Sequence, residues 1–391
     1  MVEGKIEAES LAHASEKLVA MGFTLLTLSP YREKRGLKSF LHLQSKRVKP
    51  AELVLFSRQL YTLLDAGVPL ISALESLSEQ VEGTYLEIVI RDLISSLRSG
   101  ESFSNALEKF PQVFNNLYCN LIKAGEASGK LDEALHRLAV MGEYEEEMRA
   151  RIRSALMYPV IVISALIGTF ILMITFVLPR FAKIFSRFKT KLPLPTQILM
   201  GINHLVSNYG IFLLGSIIIL IFLSIRLNKT PRGREFFDRL KLKIPILGPL
   251  FLKIILSRFC RTTAGLIQSG IPIIKTLELV KQISGNVLIA RAIENIRTGI
   301  NTGAPLHLLM KQEKFFPPMI SHMVAIGEET GKLDELLLKV SDYFDYQVNY
   351  TVKNLTTLIE PFLLLALGGG VLLMALAIFL PMWNLIYLFK K

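Results

Sequence analysis

The residues with the most evident chemical potential form a short segment rich in glycine and charge, with Gly125, Glu126, Gly129 and Lys130 lying within six positions. A phosphate-binding P-loop needs four residues between its glycines and a Ser or Thr after its Lys. Here three residues separate the glycines and Leu131 follows the lysine. The segment instead predicts a helix–helix connection, with Gly129 ending one helix and acidic residues opening the next. A charged surface loop that contacts partner proteins is the alternative interpretation. The segment occurs a second time, with the same departures from a P-loop, at Gly327, Glu328, Gly331 and Lys332.

No other pattern in the sequence is typical of an enzyme or a metal site. The six histidines and the two cysteines, Cys119 and Cys260, lack the close spacing of metal ligands. The motifs GxSxG, HExxH and GxGxxG are also missing. We therefore expect no catalytic residues, no metal and no cofactor.

Composition points to a membrane protein. Of 391 residues, 51% are hydrophobic and only 20% are charged, and the mean hydropathy is +0.42. A soluble domain is rarely so apolar, and neither a disordered nor a collagen-like chain has this composition. The formal net charge of +12 suits anionic lipid or an acidic partner. Nucleic acid is not expected as a partner, because the apolar stretches favour a bilayer.

Three stretches have the length and composition of membrane spans, which need about 20 apolar residues in a helix. They predict spans at 154–179, 205–225 and 358–380. Pro159 and Pro361 are expected at the membrane boundary of the first and third spans. Apart from Glu360 at that boundary, no charged residue lies within the spans. This argues against a small transporter, which usually needs a polar path, and the missing catalytic set argues against a membrane-anchored enzyme.

The charge distribution predicts which side of the membrane each segment faces. The first 20 residues contain four glutamates and no apolar leader-like run, so we expect a cytoplasmic N-terminus. In this orientation eleven Lys and Arg residues flank the spans on the inner side, against seven on the outer side. The loop 180–204 is then extracytoplasmic. The opposite orientation is the alternative, because residues 180–191 carry five basic side chains.

An internal duplication is the most informative feature of the sequence. The offset is 203 residues in the first part of the repeat and 202 after a one-residue slip. Each copy predicts a soluble unit followed by a span, with one further span between the copies. The duplication pairs these residues: Arg58 with Arg261, Gly67 with Gly270, Pro69 with Pro272, Gly125 with Gly327, and Pro159 with Pro361.

Apolar residues at helical spacing, such as Leu53, Phe56, Leu60 and Leu64, predict that the soluble units are all-helical. The predicted organisation has nine segments. They are a small βαβ-like piece at 1–31, a basic linker at 32–49, a first cytoplasmic helical bundle at 50–153, a span at 154–179, an amphipathic loop at 180–204, a span at 205–225, a second cytoplasmic helical bundle at 226–357, a span at 358–380 and a tail at 381–391.

In their order and duplication these motifs resemble the type II secretion system protein F family, which includes the inner-membrane platform proteins of type IV pili. The resemblance covers about residues 50–391. It rests on the repeated motifs given above, and also on Tyr158-Pro159, on Leu192-Pro-x-Pro-Thr196 and on Glu360-Pro361.

The resemblance implies an all-α membrane protein with two homologous six-helix cytoplasmic bundles, three transmembrane helices and no catalytic residues. It implies a bacterial inner-membrane platform that couples a cytoplasmic hexameric assembly ATPase to pilin extraction and filament assembly. The partners implied are that ATPase, pilins or pseudopilins, other inner-membrane assembly proteins and further copies of the chain. A membrane-anchored scaffold of another secretion complex is the alternative.

Two structural expectations follow from the duplication. Arg58 and Glu126 recur as Arg261 and Glu328, so we expect each Arg to pair with the Glu of its own copy, because half-buried charges persist mainly when partnered. No strong helix breaker precedes Pro159 after Lys130. We therefore expect one continuous helix from about Leu131 into the bilayer, and another from Leu333 through Pro361.

Overall fold

The computed structural model describes residues 48–177, 179–180, 194–245 and 247–389, together with Ala20. Every regular element within these ranges is helical, which confirms the predicted all-α class. The βαβ-like piece expected at 1–31, nearly all of the basic linker at 32–49 and residues 181–193 of the expected loop lie outside the described residues, apart from Ala20.

The first repeat, which we call the first unit, runs along the chain as a series of short helices and one long helix. The long helix is the last of the series and continues into a π-helical turn at Met173–Val177. The helices are α1 (Pro50–Asp65), α2 (Leu70–Gln80), α3 (Tyr85–Arg98), α4 (Phe103–Glu108), α5 (Asn116–Ser128) and α6 (Leu131–Leu172).

The second repeat, the second unit, has the same order of helices and is preceded by two connecting helices, α7 (Leu194–Asn228) and α8 (Pro231–Lys243). Helices α2 and α10 both have 11 residues, and α5 and α13 both have 13. The duplication read in the sequence is therefore also a duplication of structure. The helices of the second unit are α9 (Leu247–Gln268), α10 (Ile273–Ile283), α11 (Val287–Asn301), α12 (Leu306–Gln312), α13 (Pro318–Thr330) and α14 (Leu333–Phe389).

Glycine and proline set the first corner of each unit. Gly67 and Gly270 adopt φ values of 84° and 76°, which are accessible to glycine at little cost. Pro69 and Pro272 are the N-cap residues of α2 and α10. The chain therefore reverses direction at equivalent places, as the repeated Gly-x-Pro pattern predicts.

Each unit buries an apolar core among its helices. Leu60, Leu74 and Phe103 are fully buried in the first unit, and Leu256 and Leu277 are fully buried in the second. Helix α1 packs along α6, and α9 packs along α14. This arrangement attaches the start of each unit to its long helix, and burial of the apolar side chains stabilises it.

The two long helices run without interruption from the units into the apolar segments. Helix α6 has 42 residues with Pro159 inside it, and α14 has 57 residues. The predicted continuous helices are therefore confirmed. Their segments Leu131–Val177 and Leu333–Ala377 are long and apolar enough to cross a membrane, and α7 contains a shorter apolar stretch at Ile218–Asn228.

The apolar parts of the long helices also contact one another. A Cβ atom at Gly370 would lie 2.8 Å from Phe170 Cε2, so α14 approaches α6 closely there because glycine has no side chain. Ile174, Leu199 and Ala377 form a small buried cluster nearby, which brings in the start of α7. The three helices therefore form a packed group in the apolar region.

Candidate functional site

The duplicated glycine motif forms a tight corner between two helices. Gly129 and Gly331 end α5 and α13 in the left-handed conformation, with φ of 68° and 69°, so the predicted helix-capping role is confirmed. A Cβ atom at Gly125 would lie 2.6 Å from Ala134 Cβ, and one at Gly327 would lie 2.8 Å from Leu333 Cα. Both glycines therefore allow the next helix to pack directly against the one they end.

The lysines of the motif have local partners. Lys130 Nζ lies 2.9 Å from Glu133 Oε1, and Lys332 Nζ lies 3.6 Å from Glu335 Oε2, with all four side chains largely exposed. Each pair joins positions i and i+3 around the first turn of the long helix, and such exposed pairs contribute little stability. The motif is thus a structural corner with a solvated charged surface.

The glutamate of the motif caps a neighbouring short helix. Glu126 accepts hydrogen bonds from the backbone N–H of Phe103 at 2.7 Å, and from the N–H and hydroxyl of Ser104 at 3.1 and 2.6 Å. Partial burial opposes ionisation of Glu126, but the hydrogen bonds from Ser104 and Phe103 outweigh it and lower the pKa. Glu126 therefore ties α5 to the N-terminus of α4.

Glu328 repeats this role in the second unit. It accepts hydrogen bonds from the N–H groups of Leu306 and His307 at 2.8 and 3.2 Å, and it lies 2.5 Å from His307 Nδ1. The expected pairs Arg58–Glu126 and Arg261–Glu328 are therefore wrong. The glutamates are retained in both copies because they satisfy backbone groups at the start of α4 and α12.

The two arginines instead pair with their own long helix. Arg58 Nε and Nη2 lie 2.6 and 2.5 Å from the two carboxylate oxygens of Glu143. Arg261 Nη2 lies 2.6 Å from Asp345 Oδ2 and 2.8 Å from Asp342 Oδ1. Glu143 and Asp345 are related by the offset of 202, so the ion pair is duplicated. An acid retained at this position in both copies was the feature of the sequence that could have indicated the partners. Only the packing of α1 on α6 identifies Glu143 as the partner of Arg58.

The duplicated ion pair is open in one unit and covered in the other. The Arg58 and Glu143 side chains are 32% and 44% exposed, whereas those of Arg261 and Asp345 are 19% and 15% exposed. The cover is the ring of Tyr144, which lies 4.3 Å from the Arg261 guanidinium carbon. Tyr144 belongs to the first unit, so the two units contact each other at this ion pair.

Tyr144 is held in this contact by hydrogen bonds as well as by its ring. Its hydroxyl donates to Asp345 and lies 2.9 Å from the Ser257 hydroxyl. Burial, followed by the hydrogen bond to the Asp345 carboxylate, raises the pKa of Tyr144 to about 12. The tyrosine is therefore neutral over the physiological range and acts as a donor to the second unit.

Further contacts extend the interface along α6. Arg137 Nη1 donates to the Ser269 hydroxyl at 2.6 Å, and Glu145 forms an ion pair with Arg258 at 3.0 Å. Arg151 Nη1 donates to Asn349 Oδ1 at 3.1 Å. One face of α6 thus lies against α9 and α14. No local feature of the sequence indicates this interface, because the residues that it joins are more than one hundred positions apart.

No cluster of three or more His, Cys, Asp or Glu residues that could hold a metal occurs among the described residues. The described residues define a class of protein: a duplicated helical chain that joins two packed units to long helices apolar enough to cross a membrane.

The chain belongs to the type II secretion system protein F family, which matches residues 56–179 and 259–381. It is 38% identical over 389 residues to a type IV pilus assembly protein PilC from Thermus thermophilus, covering 99% of this chain and 95% of the relative. It is 33% identical to a type IV pilus assembly protein PilC from Myxococcus xanthus, with 98% and 91% covered. A type II secretion system protein F from Aeromonas hydrophila is 28% identical, with 97% and 98% covered. Similarity over nearly the full length of these relatives supports a component of a type IV pilus or type II secretion machine, rather than a small transporter or a scaffold of another complex.

Proposed function

We propose that this chain is the non-enzymatic inner-membrane platform of a type IV pilus or type II secretion machine. In this role it couples a cytoplasmic hexameric ATPase to pilin or pseudopilin extraction and filament assembly. Two kinds of evidence support the proposal. The family contains assembly proteins of both machines, and the continuous helices α6 and α14 provide a mechanical connection between soluble units and membrane.

The continuity of α6 is the observation that carries the mechanism. The segment Glu143–Arg153 between the unit and the apolar region is helical throughout. Its charges pair along the helix, with Arg149 close to Glu145 at 3.0 Å and Arg151 close to Glu147 at 2.6 Å. Such i, i+4 pairs favour the helix in an exposed segment. A displacement of the first unit is then passed to the span by a rigid helix.

The proposed topology has three spans, with both units and the N-terminus in the cytoplasm. Tyr144 of the first unit contacts Asp345 of the second, so the two units share one side of the membrane. Helix α6 enters the membrane before the second unit begins, so the chain has to cross again before residue 226. Helix α7 is the described helix in that interval, and 205–225 is its most apolar part. We place the segment 180–204, which was expected to be a loop but belongs to α7 from Leu194 onward, outside.

The experiment that tests the coupling mechanism is an insertion into α6. A short flexible Gly-Ser segment after Arg153 should abolish filament or pseudopilus assembly while the protein still inserts into the membrane. The matched control carries the same insertion in the exposed α2–α3 turn at Val81–Thr84, and we expect it to assemble filaments. Normal assembly by the Arg153 insertion would refute the rigid connection, provided that immunoblotting shows equal amounts of both proteins in the membrane.

A further inference from the structure

The interface between the two units is heterologous, which means that it joins a different face of each unit. Each unit therefore has one face in the interface and one equivalent face that is free. The first unit contributes a donor face on α6, centred on Tyr144. The second unit contributes an acceptor face on α9 and α14, centred on Ser257, Arg261 and Asp345. Because the units are copies of each other, the second unit also carries a donor face and the first unit also carries an acceptor face. Within the described part of the chain both of these faces are exposed, and Arg58 contacts Tyr61 and His136 of its own unit.

The second donor face lies on α14 and is aromatic. The offset of 202 places Tyr343, Tyr346 and Tyr350 at the positions of Met141, Tyr144 and Met148. Met148 is buried in the contact between the units, at 7% exposure, whereas the three tyrosines are 42%, 67% and 56% exposed. A stripe of three exposed tyrosines on one helix face is typical of a protein–protein contact.

The first acceptor face lies on α1 and α6 and has matching chemistry. The offset pairs Arg58 with Arg261 and Glu143 with Asp345, so it provides the same guanidinium and carboxylate that receive Tyr144 in the second unit. The exposed Leu55 and Thr62 extend this face along α1, at the positions of Arg258 and Gly265. A tyrosine ring over Arg58, with its hydroxyl donating to Glu143, would repeat the intrachain contact.

The residues at the edges of the two free faces are also compatible with each other in charge. Arg258 and Glu145 form an ion pair in the intrachain interface, and their equivalents on the free faces are Leu55 and Gln347, which are both uncharged. The intrachain Arg151–Asn349 contact corresponds to Lys353 on the donor face and Glu147 on the acceptor face. In a contact between the two free faces, Leu55 and Gln347 would bury no lone charge, and Lys353 and Glu147 would attract each other.

The two free faces lie at nearly the same distance along their long helices from the prolines expected at the membrane boundary. Tyr346 precedes Pro361 by 15 residues and Glu143 precedes Pro159 by 16, which corresponds to about 22 and 24 Å along the helices. Two chains with parallel spans in one bilayer can therefore bring these faces together without tilting either chain.

We propose that the tyrosine stripe Tyr343, Tyr346 and Tyr350 binds the Arg58–Glu143 face of a second copy of this chain. The contact repeats the intrachain interface between molecules. Because the spans of all copies lie parallel, successive heterologous contacts place first and second units alternately around one axis, and they form a ring where the rotation between copies closes.

Photocrosslinking in membranes tests this contact on the full-length chain. Tyr346 is replaced by p-benzoylphenylalanine, and two differently tagged copies are expressed together. We expect an adduct that contains both tags, with the crosslinked peptide lying in 55–65 or 136–147. The control places the same probe at Phe236, which is 63% exposed on α8, and no adduct of that composition should form.

A variant of the acceptor face tests specificity. Leu55→Lys places a cation against the Gln347 edge of the donor face, where Lys253 Nζ already lies 3.3 Å from Gln347 Oε1. This repulsion between like charges should lower the adduct yield at least about tenfold. Ile88→Lys, at a comparably exposed apolar position on α3, should leave the yield unchanged. Adducts within a single chain, including adducts to residues 1–47, or adducts only with another protein, would overturn the proposal. Equal yields from the two lysine variants would also overturn it.

Discussion

The duplicated ion pair predicts that one mutation made in both copies will have unequal effects. Arg261→Ala leaves Asp345 with its carboxylate largely buried and removes the cation beneath Tyr144. Arg58→Ala removes an ion pair that is open to water. The two variants therefore compare the same chemistry at two degrees of burial, within a single chain.

The expected magnitudes follow from burial. Breaking a buried pair costs about 3–5 kcal/mol. The Arg261 pair belongs at the lower end, about 3 kcal/mol, because its side chains are 19% and 15% exposed and because Arg261 Nε, though buried, has no hydrogen-bond partner among the described residues. The Arg58 pair is 32% and 44% exposed, so its loss should cost less than about 1 kcal/mol.

The two cysteines provide an assay for each unit. Cys119 lies in the first unit and Cys260 in the second, and both are buried. Burial raises the pKa of both thiols, that of Cys119 to about 11, so they react slowly in the folded protein. The duplication supplies the single-cysteine backgrounds, because Cys119 corresponds to Ser321 and Cys260 to Ser57. Cys119→Ser and Cys260→Ser therefore install residues found in the other copy.

In the purified full-length protein, Arg261→Ala should increase the labelling rate of Cys260 by about 150-fold, the equivalent of 3 kcal/mol. Arg58→Ala should increase that of Cys119 by less than about fivefold. Asp342→Ala is the control, because Asp342 is the exposed partner of Arg261, and its effect on Cys260 should be small. Equal acceleration by the two arginine variants would refute the argument from burial.

Three further outcomes are expected. A reporter active only in the cytoplasm should work when fused at position 240 and stay silent at position 195, and the reverse pattern would place the basic loop inside. Gly125→Ala should lower the melting temperature of the purified protein, because the new Cβ would lie 2.6 Å from Ala134 Cβ, whereas Gly168→Ala, with no atom within 4 Å, should not. The hydrogen bond from Arg58, more than its charge, lowers the pKa of Glu143 below its ordinary value of 4.5. The stability from this pair is therefore fully present above pH 4.5 and is lost as pH falls through the lower folded pKa. Glu143→Gln should flatten that part of a stability–pH curve, and an unchanged curve would show that the pair contributes nothing measurable.

Much of the fold was readable from the sequence, because its signals are local or repeated. Helical periodicity predicts the class, Gly67 and Gly129 predict the turns, and the absence of breakers predicts the long helices. The partners of the two arginines could not be predicted from the sequence, because Glu126 and Glu143 are both retained as acids in the second copy. Only the packing of α1 on α6 and of α5 on α4 distinguishes them.

The contact between the units was invisible for a related reason. Tyr144 lies in a run of charged residues and looks like part of a solvated surface in sequence. Its partners, Ser257 and Asp345, are 113 and 201 residues away. The coordinates are needed to show that the equivalent tyrosines differ, with Tyr144 half-buried in the contact and Tyr346 exposed.

The paired long helices have one more mechanical consequence. They touch in the soluble region, where Tyr144 meets Asp345, and again in the apolar region, where Phe170 meets Gly370. The two contacts are 26 residues apart on α6 and 25 on α14, which is about 38 Å on each. Contacts at matching points restrict sliding of one long helix along the other, because both contacts would have to break. A tilt of about 5° applied at the end that carries the units displaces both helices together by about 3 Å over that length. The two long helices therefore move as a pair, and a displacement of either unit is transmitted to the apolar region of both helices.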